Sequence, residues 1–511
     1  MKRSEVPWQL AALAAILFLG LLLRLAPWGF NRFLEDEALY AYWGLQIATG
    51  ADPMLDEEPV DKPPLHPYTL ALSSLLSAPH DDAGRETAAR LPSLLASMVS
   101  IALIYALGHR LFDTRTGLFA ALLLALSPFD ILFASTGFTD PLMVALVLGA
   151  LVAAAGDRPG LAGLLAGLAV AAKQQGSFFL PLIVAIWLLA PAPTDSRRGV
   201  LPTNRLPGWL RFALSFVLIL GGVLWWDLSR LQRPGFLAQS LISYGGLAPV
   251  QTGTLLQHGA EWLSLVGAFW VSPLFNAVYA GTMLVWLVGG LLGWWQGWTR
   301  IDLALGAFVV AYLLLHWLVG FQVWDRYLLG LVPLVALLGA RAFAVWRSLA
   351  LGTGNRLLAH ARTASWHRLY AAVMSVALIA MLAGPALAAA RSELPYGGDH
   401  GSYDGIDDLA AYMRTQAPPG SVLYHYWLGY HYRFYLFDAP LRLHWYPDLE
   451  DLVRDAQIYR REPRYIAFPS WKDREPVVSA LNGAGIRLVP VYQTTRRDGT
   501  VSFELYRLDG P

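Results

Sequence analysis

The chain has 511 residues, of which 56% are hydrophobic and 15% are charged, whereas an average soluble protein has about 45–50% apolar and about 25% charged residues. This composition excludes an ordinary soluble enzyme, and the absence of cysteine excludes disulfides, thiolate catalysis and cysteine-ligated zinc. The net charge of +1 gives no reason to expect a nucleic-acid partner.

Apolar segments follow one another through the first 390 residues. A spanning helix needs about 20 apolar residues, because its backbone N–H and C=O groups must be paired inside the hydrocarbon. The hydropathy pattern predicts eleven spans, at 8–28, 89–108, 117–134, 141–155, 160–172, 177–191, 209–226, 274–296, 301–320, 327–346 and 369–389. The fourth and fifth spans are short and rich in Ala and Gly, so we expect them to be buried in the helix bundle.

Basic residues fall in every second connection between these spans. Because Lys and Arg are enriched in short cytoplasmic loops, we expect those connections to be cytoplasmic. The outer side would then hold residues 29–88, 135–140, 173–176, 227–273, 321–326 and the C-terminal tail. The prediction is a multi-pass protein of the plasma (inner) membrane, with a cytoplasmic N-terminus and an extracytoplasmic C-terminal domain.

The first and fourth of the outer segments contain helix signals. An amphipathic helix is predicted after Glu35-Asp36-Glu37, ended by Gly50, and a second one over 261–272, stopped by Pro273. Both would lie along the membrane interface rather than cross it.

The tail has the charge density of a soluble domain, since residues 391–511 hold 30 of the 75 charged residues. Its helix-like stretches are 404–417, 448–462 and 475–484, and its strand-like stretches are 421–427, 464–469, 486–493 and 501–508. The predicted fold class is a polytopic α-helical membrane protein with a transmembrane catalytic domain over residues 1–390 and a small α/β domain over 391–511. Aromatic residues are dense around 424–432 and could contact sugar or lipid, although sheet packing is the favoured interpretation.

Acidic side chains on the outer side are the first candidates for chemistry, because charge at a membrane is costly. Asp36 with Glu35 and Glu37, and Asp140 before Pro141, each stand where a helix begins, so capping of a helix N-terminus is the alternative role for both acids. Two acids from separate loops could converge on one site, where one takes a proton from an acceptor while the other orients it or holds a metal.

Cations on the same side are the second group of candidates. Of the four lysines, Lys62 and Lys173 lie on the side that the positive-inside rule disfavours. An ammonium is a compact charge suited to phosphate, and Arg90 and Arg326 could add planar guanidinium groups. The alternative for the lysines is a solvated or snorkelling loop charge. The outer side therefore offers carboxylates that suit an acceptor and cations that suit a phosphate. Because no nucleotide sugar is available outside the membrane, these residues indicate an activated group that is carried on a lipid phosphate.

The order of these motifs resembles the GT-C membrane glycosyltransferases, in particular the branch of the protein O-mannosyltransferases and the aminoarabinose transferase of lipid A (ArnT-like). The motifs are Glu35-Asp36-Glu37 with Tyr40, Asp61-Lys62-Pro63-Pro64-Leu65, Arg90-Leu91-Pro92-Ser93, Thr139-Asp140-Pro141, Ala172-Lys173 and Asp325-Arg326-Tyr327-Leu328. The resemblance covers roughly residues 1–340, and the tail shows no clear lectin-like module, so the acceptor is not defined by it.

The resemblance implies a sugar transferase that uses a polyprenyl-phosphate-linked donor and inverts the anomeric centre. It implies that Asp36 activates the acceptor and that Asp140 is a second acid of the site. It further implies donor-phosphate binding by Lys62, Arg90, Lys173 and Arg326, and substrate contacts by Glu37, Tyr40 and Tyr327. The partners would be the lipid-linked donor, membrane lipids and a lipid, glycan or protein acceptor.

The sequence also allows two other functions and one cofactor. The main alternative is a transporter or flippase of lipid-linked sugars, although the chain shows neither internal repeats nor paired interrupted spans. The other is a non-catalytic membrane subunit that positions a partner through residues 391–511. No cofactor is required, but Mg²⁺ or Mn²⁺ on Asp36, Glu37 and Asp140 is an option, because hard cations prefer oxygen ligands.

Overall fold

Helices make up most of the structure. The computed structural model describes residues 8–78, 81–190, 207–230, 235–244, 248–293, 298–343 and 363–510. Up to residue 390 its helices are α1 (Trp8–Leu25), α2 (Glu35–Thr49), α3 (Leu65–Ser77), α4 (Asp82–Leu111), α5 (Thr114–Ala125), α6 (Pro128–Ala134), α7 (Asp140–Ala155), α8 (Pro159–Ala172), α9 (Leu180–Leu189), α10 (Gly208–Ser229), α11 (Phe236–Tyr244), α12 (Leu255–Gly267), α13 (Pro273–Leu291), α14 (Arg300–Leu318), α15 (Leu331–Phe343) and α16 (Thr363–Ala390). Short 3₁₀ helices are Ala26–Gly29, Gln174–Phe179 and Asp325–Leu328.

The chain is a multi-pass membrane protein. Five helices, α1, α4, α10, α13 and α14, are long and apolar enough to cross a bilayer, and α5 with α6 makes a sixth if this pair, bent by 63°, is one span. Shorter apolar helices occur at Asp140–Ala155, Pro159–Ala172, Gln174–Leu189, Leu331–Phe343 and Ile379–Ala390. Helices therefore stand at every predicted span position, but the number that cross the membrane stays a prediction.

Close helix packing accounts for the two short spans. Helix α7 is almost entirely buried, and α8 packs against α10 through its glycines. A Cβ atom at Gly163 would collide with the main-chain carbonyl of Phe212, and one at Gly167 would lie 2.9 Å from the Ile219 side chain. The small residues thus let two backbones approach, as the sequence indicates.

The predicted interfacial helices differ in outcome. Helix α2 begins at Glu35 and ends at Gly50, whose left-handed φ of 73° suits glycine. The second predicted helix, 261–272, is wrong in its bounds, because α12 runs over Leu255–Gly267. Pro273 begins the next helix instead of ending this one, and the turn before it buries Phe269 and Trp270 in the core.

A small sheet unit follows α16. Its helices are α17 (Ile406–Gln416), α18 (Gly429–Tyr435), α19 (Leu449–Ile458) and α20 (Glu475–Gly483), and its strands are β1 (Val422–His425), β2 (Arg442–Trp445), β3 (Arg464–Pro469), β4 (Arg487–Thr495) and β5 (Val501–Asp509). The strand order is β2-β1-β3-β5-β4, with β2, β1 and β3 parallel and β5 antiparallel to both β3 and β4. The predicted small α/β domain is confirmed, while α18 and β2 are additional elements. The exact division of the chain at residue 390 stays a prediction.

The sheet unit is docked on the first outer segment. His431 on α18 shares a 2.8 Å hydrogen bond with the Phe33 carbonyl, and the Tyr435 hydroxyl donates to Glu86 at 2.7 Å. Arg32 donates to Asp407 on α17 at 2.6 Å. Because these contacts flank the start of α2, they hold the acidic motif there in a defined orientation.

Candidate active site

Segments that the charge pattern assigns to one side of the membrane meet at the start of α2. Residues from 29–88, 135–140, 173–176 and 321–326 contact one another there, whereas the basic positions in 2–3, 197–205 and 347–362 lie outside the described residues. The predicted site residues are therefore brought together from four separate parts of the chain.

Asp36 forms an ion pair at this meeting point. Its Oδ2 accepts a hydrogen bond from Nη2 of Arg326 at 2.7 Å, and the Asp36 side chain keeps 39% of its surface exposed. The N-cap position of α2 is Leu34, so the alternative role of Asp36 as a cap is wrong. The guanidinium of Arg326 is buried over the rings of Phe138, at 4.6 Å, and Trp324, at 4.9 Å.

Asp140 and Lys173 form a second pair, which is buried. Lys173 lies in an extended break between α8 and the following 3₁₀ helix, and its Nζ donates to Oδ1 of Asp140 at 2.5 Å. The N-cap of α7 is Thr139, so Asp140 does not act as a cap either. Burial lowers the pKa of Lys173 to about 8, against the opposing effect of Asp140.

Lys62 completes a group of three cations. Its Nζ contacts Oδ2 of Asp61 at 2.7 Å and lies 5.7 Å from the centre of the Tyr40 ring. The positive charges of Arg326 and Lys62 both act to lower the pKa of Lys173, so these two cations lie within electrostatic range of the Lys173 ammonium. Three of the four predicted phosphate-binding residues therefore share one site.

Aromatic rings line the cations. The Nζ of Lys173 lies 4.5 Å from the centre of the Tyr327 ring, and the Tyr327 carbonyl accepts hydrogen bonds from Gln175 and Tyr312, both at 2.9 Å. Tyr40, also predicted to contact substrate, is buried with its ring edge-on to His66 at 5.8 Å. A ring face stabilises an adjacent cation by about 0.5–2 kcal/mol, so these tyrosines fix the positions of the lysines.

Comparisons with known proteins agree with this geometry. Residues 61–226 match the family model described as dolichyl-phosphate-mannose-protein mannosyltransferase. ArnT from Cupriavidus metallidurans in the apo state has a similar structure, with a TM-score of 0.60 and 17% identity over 99% of this chain and 98% of that one. The oligosaccharyltransferase AglB from Archaeoglobus fulgidus gives a TM-score of 0.54 at 14% identity, over 97% of this chain and 74% of that one. No curated protein matches the sequence.

The chain has the GT-C glycosyltransferase fold. The family model covers the motif at Lys62, the short helices α7 and α8, and Lys173. The fold and the family model together indicate a glycosyltransferase, and neither gives support to the flippase alternative.

In this GT-C fold, the side chain of Glu37 lies in a different environment from that of its neighbour Asp36. It is buried, with Oε1 accepting from the Gly137 main-chain N–H at 2.6 Å and Oε2 from that of Leu34 at 3.0 Å. Burial raises the pKa of Glu37 to about 7. Oε1 thus holds the chain just before Asp140 and Oε2 holds the start of α2, and the predicted substrate contact of Glu37 stays a prediction without a supporting contact.

His66 holds the same residue, Gly137, through its carbonyl group. Its Nε2 donates to the Gly137 carbonyl at 2.8 Å, and burial lowers the pKa of His66 to about 4, so that the ring is neutral. Glu37 and His66 therefore grip both polar groups of Gly137, three residues before Asp140. We call this arrangement the Gly137 clamp. The sequence analysis missed His66, although it follows Lys62 by four positions on the outer side.

Gln174 and Gln175 are two further residues that the prediction missed. Gln174 donates to the Asp61 carbonyl at 2.8 Å and so joins the Lys62 loop to the Lys173 turn. The sequence feature that could have indicated both glutamines is their position directly after Lys173. They lie there in a short turn, where glutamine side chains are not expected to be solvated.

The surroundings of Arg90 differ from those of the other three predicted cations. It donates to Glu86 and to the Asn31 carbonyl, both at 2.8 Å, and its guanidinium packs 4.7 Å from the centre of the Phe33 ring. These contacts join α4 to the segment before α2. A role of Arg90 in phosphate binding stays a prediction, and its visible contacts are structural.

The three acids named for a metal do not fit a shared ion. Among the described residues, no group of three or more His, Asp or Glu side chains is placed to hold a metal. Asp36 is paired with Arg326, Asp140 with Lys173, and Glu37 with two main-chain N–H groups. We therefore derive no step through a metal ion.

Proposed function

We propose that this protein transfers a sugar from a polyprenyl-phosphate-linked donor to a lipid, glycan or protein acceptor at the outer face of the membrane, with inversion at the anomeric carbon. The observation that carries the proposal is the assembly of one accessible carboxylate, Asp36, with three cations, Lys62, Lys173 and Arg326. An acceptor hydroxyl or amine needs a carboxylate that takes its proton, and a departing lipid phosphate needs cations that stabilise its charge.

The similar solved structures support this class of donor. One ArnT structure is bound to undecaprenyl phosphate, with a TM-score of 0.59 to this chain. One AglB structure is in complex with an inhibitory peptide and a dolichol-phosphate. A lipid phosphate of this kind would bring its tail between the helices and its charged head to the cations.

The proposed chemistry assigns each group a separate part. Asp36 takes the proton of the acceptor as its oxygen or nitrogen attacks the anomeric carbon from the face opposite the phosphate. The bond between that carbon and the phosphate oxygen breaks, and the negative charge that develops on the phosphate is stabilised by Lys62, Lys173 and Arg326. Asp140 touches no acceptor in this scheme; it is a positioning residue that keeps Lys173 charged and in place.

We also propose the orientation that the charge pattern predicts. The N-terminus would lie in the cytoplasm, and residues 391–511 would lie outside the plasma (inner) membrane. Support comes from the convergence of the outer segments on one site and from the docking of the sheet unit on the first of them.

The test is sugar transfer by an Asp36→Asn variant in membranes, with the purified wild-type protein first analysed by mass spectrometry to identify the sugar on its co-purifying polyprenyl phosphate. We expect a loss of about 10²–10⁴-fold, the range for removal of a general base. Glu57→Gln, an exposed acid of the same loop, is the matched control and should transfer at the wild-type rate. Wild-type turnover by Asp36→Asn would refute the assignment.

Transport is separated from transfer by a second measurement. Purified protein in sealed vesicles, loaded with the identified donor, should form the glycosylated product without moving unmodified donor between leaflets. Movement of the donor without product would instead support the flippase.

A further inference from the structure

Exposed aromatic side chains line one edge of the C-terminal sheet. Strands β1, β2 and β3 are parallel, so their carboxyl ends meet at the same edge, which is where open α/β sheets bind ligands. The residues that follow these strands there are Tyr426 and Trp427 after β1, Tyr446 after β2, and Trp471 and Lys472 after β3. Tyr426 is 44% exposed and Trp471 is 37% exposed.

These side chains form a continuous row. Tyr426 contacts Tyr446 and Trp427, with ring centres 5.8 Å and 4.5 Å apart. The Lys472 ammonium contacts the next two rings and lies 4.9 Å from the centre of the Trp427 ring and 5.4 Å from the centre of the Trp471 ring. We call the row Tyr426, Trp427, Lys472 and Trp471 the aromatic lane.

One end of the aromatic lane reaches the candidate active site. Trp471 packs edge-on against Tyr403, with ring centres 5.9 Å apart, and the Tyr403 hydroxyl donates to the carboxylate of Glu35, the residue before Asp36. Tyr430, which is also exposed, lies within electrostatic range of Asp36 and Asp61. The lane is therefore linked, through the buried Tyr403, to the residue that precedes Asp36.

The exposure of these rings is not explained by packing within the sheet unit. The neighbouring aromatics Tyr424 and Tyr432 are fully buried, as expected of sheet packing, whereas Tyr426 and Trp471 keep large exposed faces. Flat aromatic faces beside a single ammonium suit a ligand that offers C–H groups on one face and hydroxyl groups at its rim, which describes a sugar ring.

We propose that the aromatic lane is an acceptor subsite that stacks one or more sugar rings, so that the acceptor is a saccharide-bearing molecule. This inference rests on the proposed function and names the acceptor class for the same site. Sugar units bound along the lane would present a terminal hydroxyl or amine toward Asp36.

The first experiment asks what the acceptor is made of. Acceptor-containing membrane vesicles are treated with either periodate, which cleaves vicinal diols of sugars, or a protease, and then supplied to the full-length enzyme with the identified lipid donor. We expect periodate to abolish acceptor capacity and protease to leave it intact. Capacity that resists periodate and is lost to protease would overturn the proposal in favour of a protein acceptor.

The second experiment tests the lane itself. Trp471→Ala and Tyr426→Ala should each raise the vesicle concentration that gives half-maximal transfer by about fivefold, which corresponds to the low end of the stacking losses per aromatic ring for nucleic-acid bases. The maximal rate should stay within about twofold of wild type. Binding of undecaprenyl phosphate, followed by native mass spectrometry, should not change. Trp445→Ala is the matched control, since Trp445 is 57% exposed at the end of β2 and has no ring contact with the lane among the described residues.

The outcomes separate this inference from the proposed function. Wild-type half-saturation in both lane variants, together with an inactive Asp36→Asn, would overturn the subsite and leave the transferase assignment in place. A fall in the maximal rate at unchanged half-saturation would also overturn it, because that pattern indicates anchoring of the domain at the membrane surface. Full activity of Asp36→Asn would refute the proposed function itself.

Discussion

Two acid–cation pairs of the candidate site have similar geometry and very different access to solvent. The Asp36–Arg326 pair closes at 2.7 Å with the acid 39% exposed, and the Asp140–Lys173 pair closes at 2.5 Å with the acid 1% exposed. An exposed carboxylate can exchange a proton with an incoming acceptor, whereas a buried one mainly neutralises the charge beside it. In the proposed mechanism, this difference favours Asp36 for proton transfer and Asp140 for positioning the Lys173 ammonium.

The supports of the two pairs differ in the same way. The chain before Asp140 is held by the Gly137 clamp, in which Glu37 and His66 bind the main-chain N–H and C=O groups of one residue. Asp36 lies on the outer surface of α2, and its partner Arg326 is oriented by Asp325, whose other carboxylate oxygen accepts from Gly397 of the tail. The buried pair is thus built on helices of the bundle, while the exposed pair depends on contacts with the C-terminal domain.

The largest expected contrast is in stability. Asp140→Asn leaves Lys173 buried without its counter-charge, and removal of one partner from a buried pair costs about 3–5 kcal/mol. Asp36→Asn, although inactive, should change the unfolding free energy by about 1 kcal/mol or less, because exposed pairs contribute little. Thermal unfolding in detergent micelles measures both.

The double variant Asp140→Asn/Lys173→Met is the control for this contrast. It removes both buried charges, so it should regain most of the lost stability and still bind undecaprenyl phosphate poorly. Equal destabilisation by Asp36→Asn and Asp140→Asn would contradict the division between the two pairs.

The second expected effect concerns the Gly137 clamp. The Glu37 carboxylate accepts hydrogen bonds from two main-chain N–H groups, and in Glu37→Gln the amide NH₂ would face one of them. A buried donor left unpaired costs about 1–3 kcal/mol. Because His66 holds the same residue, Glu37→Gln and His66→Phe should be non-additive in the unfolding midpoint. Strictly additive losses would show that the two residues act independently of each other.

Much of the site was predictable because membrane topology restricts where charge can lie. The charge pattern predicts Lys62 and Lys173 on the same side as Asp36 and Asp140, and in the structure Lys173 pairs with Asp140 while Lys62 lies within electrostatic range of Lys173. What the sequence could not provide is the direction of each acid. Neighbouring helix residues point about 100° apart, so Glu37 enters the core and Asp36 faces the cations, but the hydrophobic pattern of 35–49 does not say which.

The fold shows the same limit at its turns. Pro273 suits the end of one helix or the start of the next, and only the burial of Phe269 and Trp270 before it decides for the start. Arg90 was grouped with the other cations because of its motif, yet its partner Glu86 lies one helical turn away on α4. Local sequence therefore predicted the group of candidate residues better than the contacts that each of them makes.

The smallest expected effect is a pH dependence that belongs to the buried pair alone. With the pKa of Lys173 lowered by burial to about 8, about nine tenths of its ammonium groups are neutral one pH unit higher. Binding of undecaprenyl phosphate should therefore weaken by about fivefold between pH 8 and pH 9, where the charged fraction falls from one half to about one tenth, which corresponds to about 1 kcal/mol. Binding measured by native mass spectrometry or by competition in detergent checks this expectation.

The same titration has the opposite sign for stability. Because the unfolded chain holds the Lys173 proton up to about pH 10.4 and the folded chain releases it near pH 8, the contribution of Lys173 to the unfolding free energy rises with pH across that interval. Lys173→Arg keeps its charge, so it should remove both the loss of phosphate binding and the gain in stability between pH 8 and 10. A wild-type protein that loses phosphate affinity and stability together over this range would instead indicate general alkaline unfolding, and Lys173 would no longer be distinguished from the accessible pair by its burial.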